Sequence, residues 1–546
     1  MLAGGEQRGV PDPRAELRRG PGWVRASWPD GITLRVAARP SRHGGVTLRS
    51  ELVAGASLRL DALGVRLRGA RASRVLVDGY HSWDWTGVRD ATAPGRGWWS
   101  AVWGDEGADS LLTVALAAPP RTGALWLRWQ GPDGLDALCA GEPVQHGQRT
   151  GPPLSLDLPV AASTTLRSDP LRVAALDRRR GAGTGLPGEL GAVTTARLVG
   201  WMSWNSLGAS VTAADVVAAA GQLCPPGGLA LLDDGWMRCW GDWQVHDGFG
   251  SNLTELAAAV RRQGRHLGVW AAPFLVDARM GTQLAALLLR DAEGAPVVDV
   301  RASADRLVLD ASRPEVRHHL AALGAAFARC GVRALKLDFL YAGALPGARA
   351  AGWSGVRALR EGMAALVGAY RAAAAPGSAV LACGAPAPPI VGLADTCRSG
   401  GDAVVNVPGT HAAPPPRPWF THGELVVRAQ ARNLAARAWL WGTTLPPDID
   451  AVTLGQIADT PPPGGELAAQ WLRLAERSGG PLLDSDRPAA ALDPARLRQL
   501  RATWHRVAGR PPRPDRSHDP LAMPPAPMSE DDFYSWTEPP GWEPSE

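Results

Sequence analysis

From about Ala196 the chain alternates short apolar runs with longer Ala- and Leu-rich amphipathic stretches, and this rhythm limits its fold more than any other feature. The short runs are Leu198–Trp204, Leu229–Asp233, Leu267–Ala272, Ala334–Phe339, Ala379–Ala382 and Asp395–Cys397. The long ones are Ala213–Leu223, Leu253–Gln263, Arg313–Cys330, Trp353–Ala374 and Glu424–Trp439, with Pro494–Val507 as a last helix. Strand followed by helix, repeated over roughly 280 residues, predicts a parallel sheet of the size of a (β/α)8 TIM barrel. A doubly wound open sheet is the alternative, but no GxGxxG turn follows the first strand. Several runs end in polar or reactive residues: Trp204-Asn205, Asp233-Asp234, Trp270, Asp338, Cys383-Gly384 and Arg398. In a barrel these ends gather around one mouth.

Upstream the rhythm is different. Ile32–Ala37, Val46–Leu52, Leu58–Leu60 and Leu125–Trp129 alternate apolar and polar residues and are broken by Gly, Pro and Asp, the pattern of an antiparallel β-sandwich. The Arg- and Gly-rich stretch from Asp177 to Gly191 reads as a linker. After Val507 the chain becomes Pro-rich and then acidic, without apolar periodicity, which predicts a disordered tail. The expected organisation is a multidomain chain: sandwich and linker over 1–190, catalytic barrel over 191–509 and tail over 510–546.

Composition narrows the partners. The 57 basic and 53 acidic residues leave a net charge of +4, and no like-charge run exceeds Arg178–Arg180, so a nucleic-acid face is not expected. Six scattered cysteines form no CxxC pair, which fits free thiols in a reducing cytoplasm and offers no zinc site. The stretch Met1–Arg19 has no apolar h-region, and no later stretch is apolar enough to span a bilayer, so no membrane partner is expected. Lys336 is the sole lysine; every other basic residue is arginine. A lysine retained under such a bias suits a place that needs a compact point charge.

Lys336 and Asp338 stand two apart on a strand, so both point into the mouth, and an ammonium beside a carboxylate favours the ionised acid that a nucleophile requires. A structural ion pair is the other reading. Asp233-Asp234 repel each other unless a polar ligand, a helix cap or a cation compensates. Trp201, Trp204, Trp236, Trp240, Trp243 and Trp270 crowd the first strand ends; most are expected to be packing residues, while indoles beside carboxylates also suit a sugar, and Trp204 is kept with Trp270 as a site candidate. Gly400-Gly401 let the chain turn back at Asp402, which spacing alone makes no more than a turn aspartate.

Taken together, Gly79-Tyr-His-Ser-Trp83, Gly200-Trp-Met-Ser-Trp204, Leu232-Asp-Asp-Gly235, Gly241-Asp-Trp243, Gly268-Val-Trp-Ala-Ala-Pro-Phe274, Lys336-Leu-Asp-Phe-Leu-Tyr-Ala-Gly-Ala344 and Cys397-Arg-Ser-Gly-Gly-Asp402 resemble the melibiase-type α-galactosidases of glycoside hydrolase family 36, in the family's order. The resemblance implies a retaining α-galactosidase with Asp338 as nucleophile and Asp402 as acid/base. It implies that Asp233 and Asp234 bind the galactose 4- and 6-hydroxyls and that Lys336 contacts ring hydroxyls. It further implies that Arg398 positions O2, that Trp270 lines the pocket and that Trp83 reaches in from the sandwich. The implied partner is a carbohydrate substrate, with no metal and no organic cofactor. The chain departs from the family at Asn205, where an aromatic is usual, at Gly401, where Pro is common, and at Leu445-Pro-Pro-Asp448, where Asn-Asp-Pro-Asp is usual. These departures touch sugar and leaving-group preference rather than the catalytic pair.

Overall fold

The computed structural model describes the chain outside residues 1, 4–5, 8–14, 42–43, 69–70, 147–148, 155, 157, 178–196, 300–301, 303–304, 404–423, 443, 457–461, 489–492, 512–520 and 522–546. The expected linker and nearly all of the expected tail lie outside the described residues.

The barrel is built from eight parallel strands, β1 (Val199–Met202), β2 (Leu229–Leu232), β3 (His266–Ala271), β4 (Ala334–Leu337), β5 (Ala379–Ala382), β6 (Thr396–Arg398), β7 (Pro447–Asp448) and β8 (Leu482–Asp484), paired in sequence order with β8 against β1. A parallel bridge between Val452 and Asp484 joins the segment after β7 to β8 and closes the ring. The helices that follow the strands are α1 (Ala213–Gln222), α2 (Leu253–Arg262), α3 (Pro314–Arg329), α4 (Gly355–Ala373), the single turn α5 (Ala387–Ile390), α6 (Glu424–Leu440), α7 (Gly465–Ser478) and α8 (Pro494–Val507). Their starts follow local chemistry. Thr212 and Asp215 form a capping box on α1, while Asn252 and Ser354 cap α2 and α4 through their side chains. Pro314 and Pro494 open α3 and α8, where a missing N–H costs nothing.

Residues alternate between two cores. Met202, Leu229, Leu231, Ala334, Leu381 and Leu483 fill the barrel lumen, whereas Trp201, Leu232, Val269 and Leu335 face the helices. Trp201, one of the crowded tryptophans, is thus a packing residue whose indole N–H donates to Asp486 O at 2.7 Å. Gly324 lets α3 approach α4, because a Cβ there would stand 2.2 Å from Leu366 O.

Ahead of the barrel, thirteen antiparallel strands among the described residues join in the sheet of the sandwich. The strand Gly95–Gly104 pairs through Gly95–Trp98 with Ala124–Trp129 and through Ser100–Trp103 with Ser110–Leu116, and its register shifts next to Trp99, whose φ is 60°. A strand that changes partners at such a bend carries the chain from one layer to the next.

The loop after the strand Arg74–Asp78 docks the sandwich on the barrel. Ser82 N–H donates to Ala385 O at 2.8 Å, and Trp441 Nε1 donates to Asp78 Oδ2 at 2.6 Å. Arg437 of α6, wholly buried, pairs with Asp78 at 3.3 Å and donates to the carbonyls of His81, Ser82 and Asp84. One apolar cluster runs without a break from Val75 and Trp103 of the sandwich to Trp270 and Leu337 of the barrel.

Candidate active site

The barrel mouth is walled by four segments that leave the C-terminal ends of β2, β4, β6 and β7. After β4 the chain turns sharply: Phe339 takes φ 50°, and Asp338 ends held at both oxygens. Trp270 Nε1 donates to Asp338 Oδ2 at 3.0 Å, and the Phe339 N–H donates to Oδ1 at 2.7 Å. Both donors are neutral. They fix the carboxylate's orientation without cancelling its charge.

Lys336 does not bind Asp338 as the strand spacing predicts. Its Nζ reaches across the lumen to Asp233 Oδ2 at 2.7 Å and lies 3.5 Å from Met202 Sδ. Asp338 stands one residue past the end of β4, so strict two-residue alternation no longer governs its direction, and the four-carbon lysine stem selects the nearer carboxylate. Burial presses the ammonium towards neutrality and Arg398 adds to that, but the attractions of Asp233, Asp338 and Cys383 together outweigh them and raise the lysine above its ordinary value, so Lys336 carries its proton.

The paired aspartates differ from one another. Asp233 is anchored by Lys336, and its N–H donates to Ser203 Oγ at 2.9 Å. Asp234 Oδ1 takes the Gly235 N–H at 2.8 Å and Trp240 Nε1 at 3.2 Å. Burial, and then the neighbouring Asp233, push the Asp234 carboxyl up to about 7. A carboxyl raised in the folded state stabilises the fold at low pH and loses that contribution as the pH climbs through the raised value. Asp234→Asn is therefore expected to flatten the fall of Tm between about pH 4 and about pH 7. Melting curves across that range decide it, and an unchanged slope in the variant refutes it.

Aromatic rings form one arc around the carboxylates. Trp240 lies 5.2 Å from Trp270 and 5.1 Å from Phe339, and Trp83 meets Phe339 edge-on at 5.2 Å. Trp83 arrives from the sandwich and donates through Nε1 to Cys383 Sγ at 3.2 Å. Arg306 stacks on the far face of the arc, 4.5 Å from the Trp240 ring. Trp204 begins the turn after β1 and packs, half-buried, against the lumen residues.

Beyond β6 the turn 398–402 folds back on itself, so that Arg398 Nη2 meets Asp402 Oδ1 at 2.7 Å. Arg398 is buried, while the Asp402 side chain is 46% exposed. The same Nη2 is 2.7 Å from Asp450 Oδ2, a contact that the spacing of the motifs does not foretell. Its only trace in the sequence is Asp448-Ile-Asp450, two carboxylates at i and i+2 beside a strand. Asn205, one of the departures from the family pattern, is fully buried; its amide donates to Thr453 Oγ1 at 3.0 Å and so ties β1 to the barrel wall.

The mouth therefore unites Asp233, Asp234, Lys336 and Asp338 with Trp270 and Trp83, and sets Arg398 and Asp402 on the β6 turn. An acid-rich cluster flanked by indoles at the C-terminal end of a (β/α)8 barrel, with Trp83 reaching in from the β-sandwich, offers the polar and aromatic groups that hydroxyls and C–H faces of a sugar require. No protein-family model matches the chain. Solved structures do match it. TtGalA, the α-galactosidase of Thermus thermophilus in complex with p-nitrophenyl α-D-galactopyranoside, shares 22% identity with a TM-score of 0.60, over 86% of this chain and 92% of that one. Its complex with stachyose matches 86% of this chain and 96% of that one, at the same identity of 22% and TM-score of 0.60. The family 36 α-galactosidase AgaA of Geobacillus stearothermophilus gives a TM-score of 0.62 at 12% identity, over 89% of this chain and 69% of that one. The chain has the sandwich-and-barrel fold of these family 36 enzymes.

Proposed function

We propose that the protein is a retaining α-galactosidase that releases terminal α-linked galactose from oligosaccharides or glycoconjugates. The observation that carries this reading is Asp338, a carboxylate at the end of β4 oriented by Trp270 Nε1 and the Phe339 N–H, in a mouth that also holds the Asp233–Lys336 pair. Its oxygen attacks the anomeric carbon; the glycosidic C–O bond breaks, and the departing oxygen takes the proton of Asp402. In the second step the Asp402 carboxylate removes a proton from water as the water oxygen attacks the same carbon, which frees Asp338 and restores the acid. Two inversions at one centre retain the α configuration.

The sugar is held from two sides. Trp270, Trp240, Phe339 and Trp83 offer apolar faces to its C–H groups, while Asp233 and Asp234 accept from hydroxyls and Lys336 donates. The structurally similar TtGalA was solved with stachyose and with an aryl α-galactoside, substrates that support galactose here. The site residues Trp83, Trp204, Asp233, Asp234, Trp270, Lys336 and Arg398 take the binding roles in this proposal. The organisation into a sandwich, a catalytic barrel from about 191 to 509 and a tail belongs to the same reading. So does a cytoplasmic setting, supported by six cysteines that are all free thiols. Among the described residues no helix is long and apolar enough to cross a membrane.

A panel of aryl α-glycosides, followed by NMR of the first anomer released, tests sugar and stereochemistry together. The expected result is fastest release from the galactoside with α-galactose appearing first. A preference for another glycoside replaces galactose, and β-galactose appearing first removes the double displacement.

A further inference from the structure

Asp450 is a buried carboxylate that the mechanism above leaves without a task. It stands two residues past β7, is 4% exposed, and holds φ 74°, a left-handed backbone that a non-glycine residue keeps only where its surroundings enforce it. Its Oδ2 makes both of its contacts to the turn that carries Asp402: Arg398 Nη2 at 2.7 Å and the Ala403 N–H at 2.8 Å. Asp450 thus grips that turn on either side of Asp402. Its own N–H donates to Asp448 Oδ1 at 2.8 Å, which secures the grip to β7.

The charge arrangement matters as much as the geometry. One guanidinium nitrogen of Arg398 lies 2.7 Å from Asp402 on one side and 2.7 Å from Asp450 on the other. An arginine given wholly to the acid/base would hold that group ionised, which opposes proton delivery to a leaving group. A second carboxylate sharing the same cation weakens that hold.

We propose that Asp450 is a positioning residue for the acid/base step: it clamps the Arg398–Ala403 turn and shares the charge of Arg398, so that Asp402 can carry a proton to the departing oxygen. This rests on the glycosidase reading above. The charged groups that face Asp450 are Arg398, Asp402 and, at longer range, Lys336, with Asp448 beside Arg398. Burial raises the Asp450 carboxyl to about 6, Arg398 pulls it down and Asp402 pushes it up, as expected of two acids that share one cation.

The test compares two substrates of the full chain: phenyl α-galactoside, whose leaving group needs a proton, and 2,4-dinitrophenyl α-galactoside, whose leaving group does not. Asp450→Asn keeps the shape and removes the charge. It is expected to lower kcat/KM on the phenyl substrate by about 10–100-fold, with less than about a fivefold change on the dinitrophenyl substrate. The alkaline limb of the phenyl kcat/KM profile moves to lower pH, because Arg398 is then left to one carboxylate. Asp450→Glu, which keeps the charge, leaves that limb near its wild-type position. Should Asp450→Asn fail to fold, Asp450→Ser fits the same space and carries the same comparison. Equal losses on both substrates with an unmoved limb mark a purely structural clamp and overturn the proposal. Wild-type protein that cleaves neither substrate overturns the glycosidase reading and this inference with it.

Discussion

Asp338→Gly is expected to lose at least ~10³-fold in kcat on an aryl α-galactoside, because it removes the only group placed to form the covalent intermediate in the proposed mechanism. The carboxylate can be deleted with little disturbance to the fold. Its hydrogen bonds come from one indole and one backbone N–H, and no buried cation is stranded by its loss, since Lys336 stays with Asp233. A melting temperature close to wild type should accompany the lost turnover. Added azide can then attack the anomeric carbon directly, and a single inversion of the α-linked sugar gives β-galactosyl azide. Identification of that product by NMR distinguishes a missing nucleophile from a collapsed pocket. Undiminished turnover in the variant would sink the assignment of Asp338.

The second large effect is one of stability. Arg437→Met is expected to cost about 3–5 kcal/mol, because it leaves the buried Asp78 charge without its cation and takes a donor from three buried carbonyls. Asp78 would retain the Gly79 N–H, Thr86 Oγ1 and Trp441 Nε1, and His81 O the Asp84 N–H, but the carbonyls of Ser82 and Asp84 would lose the donor that Arg437 gives them. Arg506→Met is the matching control: its pair with Glu476 lies on the surface, with 49% of the arginine side chain exposed, so its loss should stay within about 1 kcal/mol. Urea denaturation of both variants measures the contrast, and equal destabilisation would refute it. The Arg437 variant should also lose sugar affinity, since the loop that Arg437 holds carries Trp83 to the mouth.

Much of the barrel is legible in the sequence because its strands and helices differ in period. The expected helix Pro494–Val507 matches α8 residue for residue, and α1 to α4 differ from expectation by two residues or fewer at each end. Two strands are missed for a physical reason. β7 is two residues, one of them a proline, and β8 is three, so neither presents an apolar run that can be told from a loop. The helix α7 lies between them and goes unnoticed for want of a strand to announce it, although Leu472, Trp471, Ala475 and Ala468 share its buried face.

The candidate site divides along the same line. Asp233, Asp234, Asp338 and Arg398 are visible because each ends or directly follows a recognisable strand. The partner of Lys336 is not, because the reach of a long side chain across a lumen depends on the curvature of the whole sheet. Asp450 escapes for a related reason: its role comes from meeting a turn 47 to 52 residues earlier in the chain, next to a strand too short to be seen.

The solitary lysine has a practical corollary. Reagents that seek ε-amines, whether fluorophores, cross-linkers or coupling resins, find no lysine on the outside of this protein, because Lys336 has 8% of its side chain exposed and is locked to Asp233 at 2.7 Å. Amine chemistry so directed meets its one lysine inside the barrel mouth, where a bound sugar would stand in its way. Attachment through arginine or carboxylates, by contrast, has the whole surface to choose from.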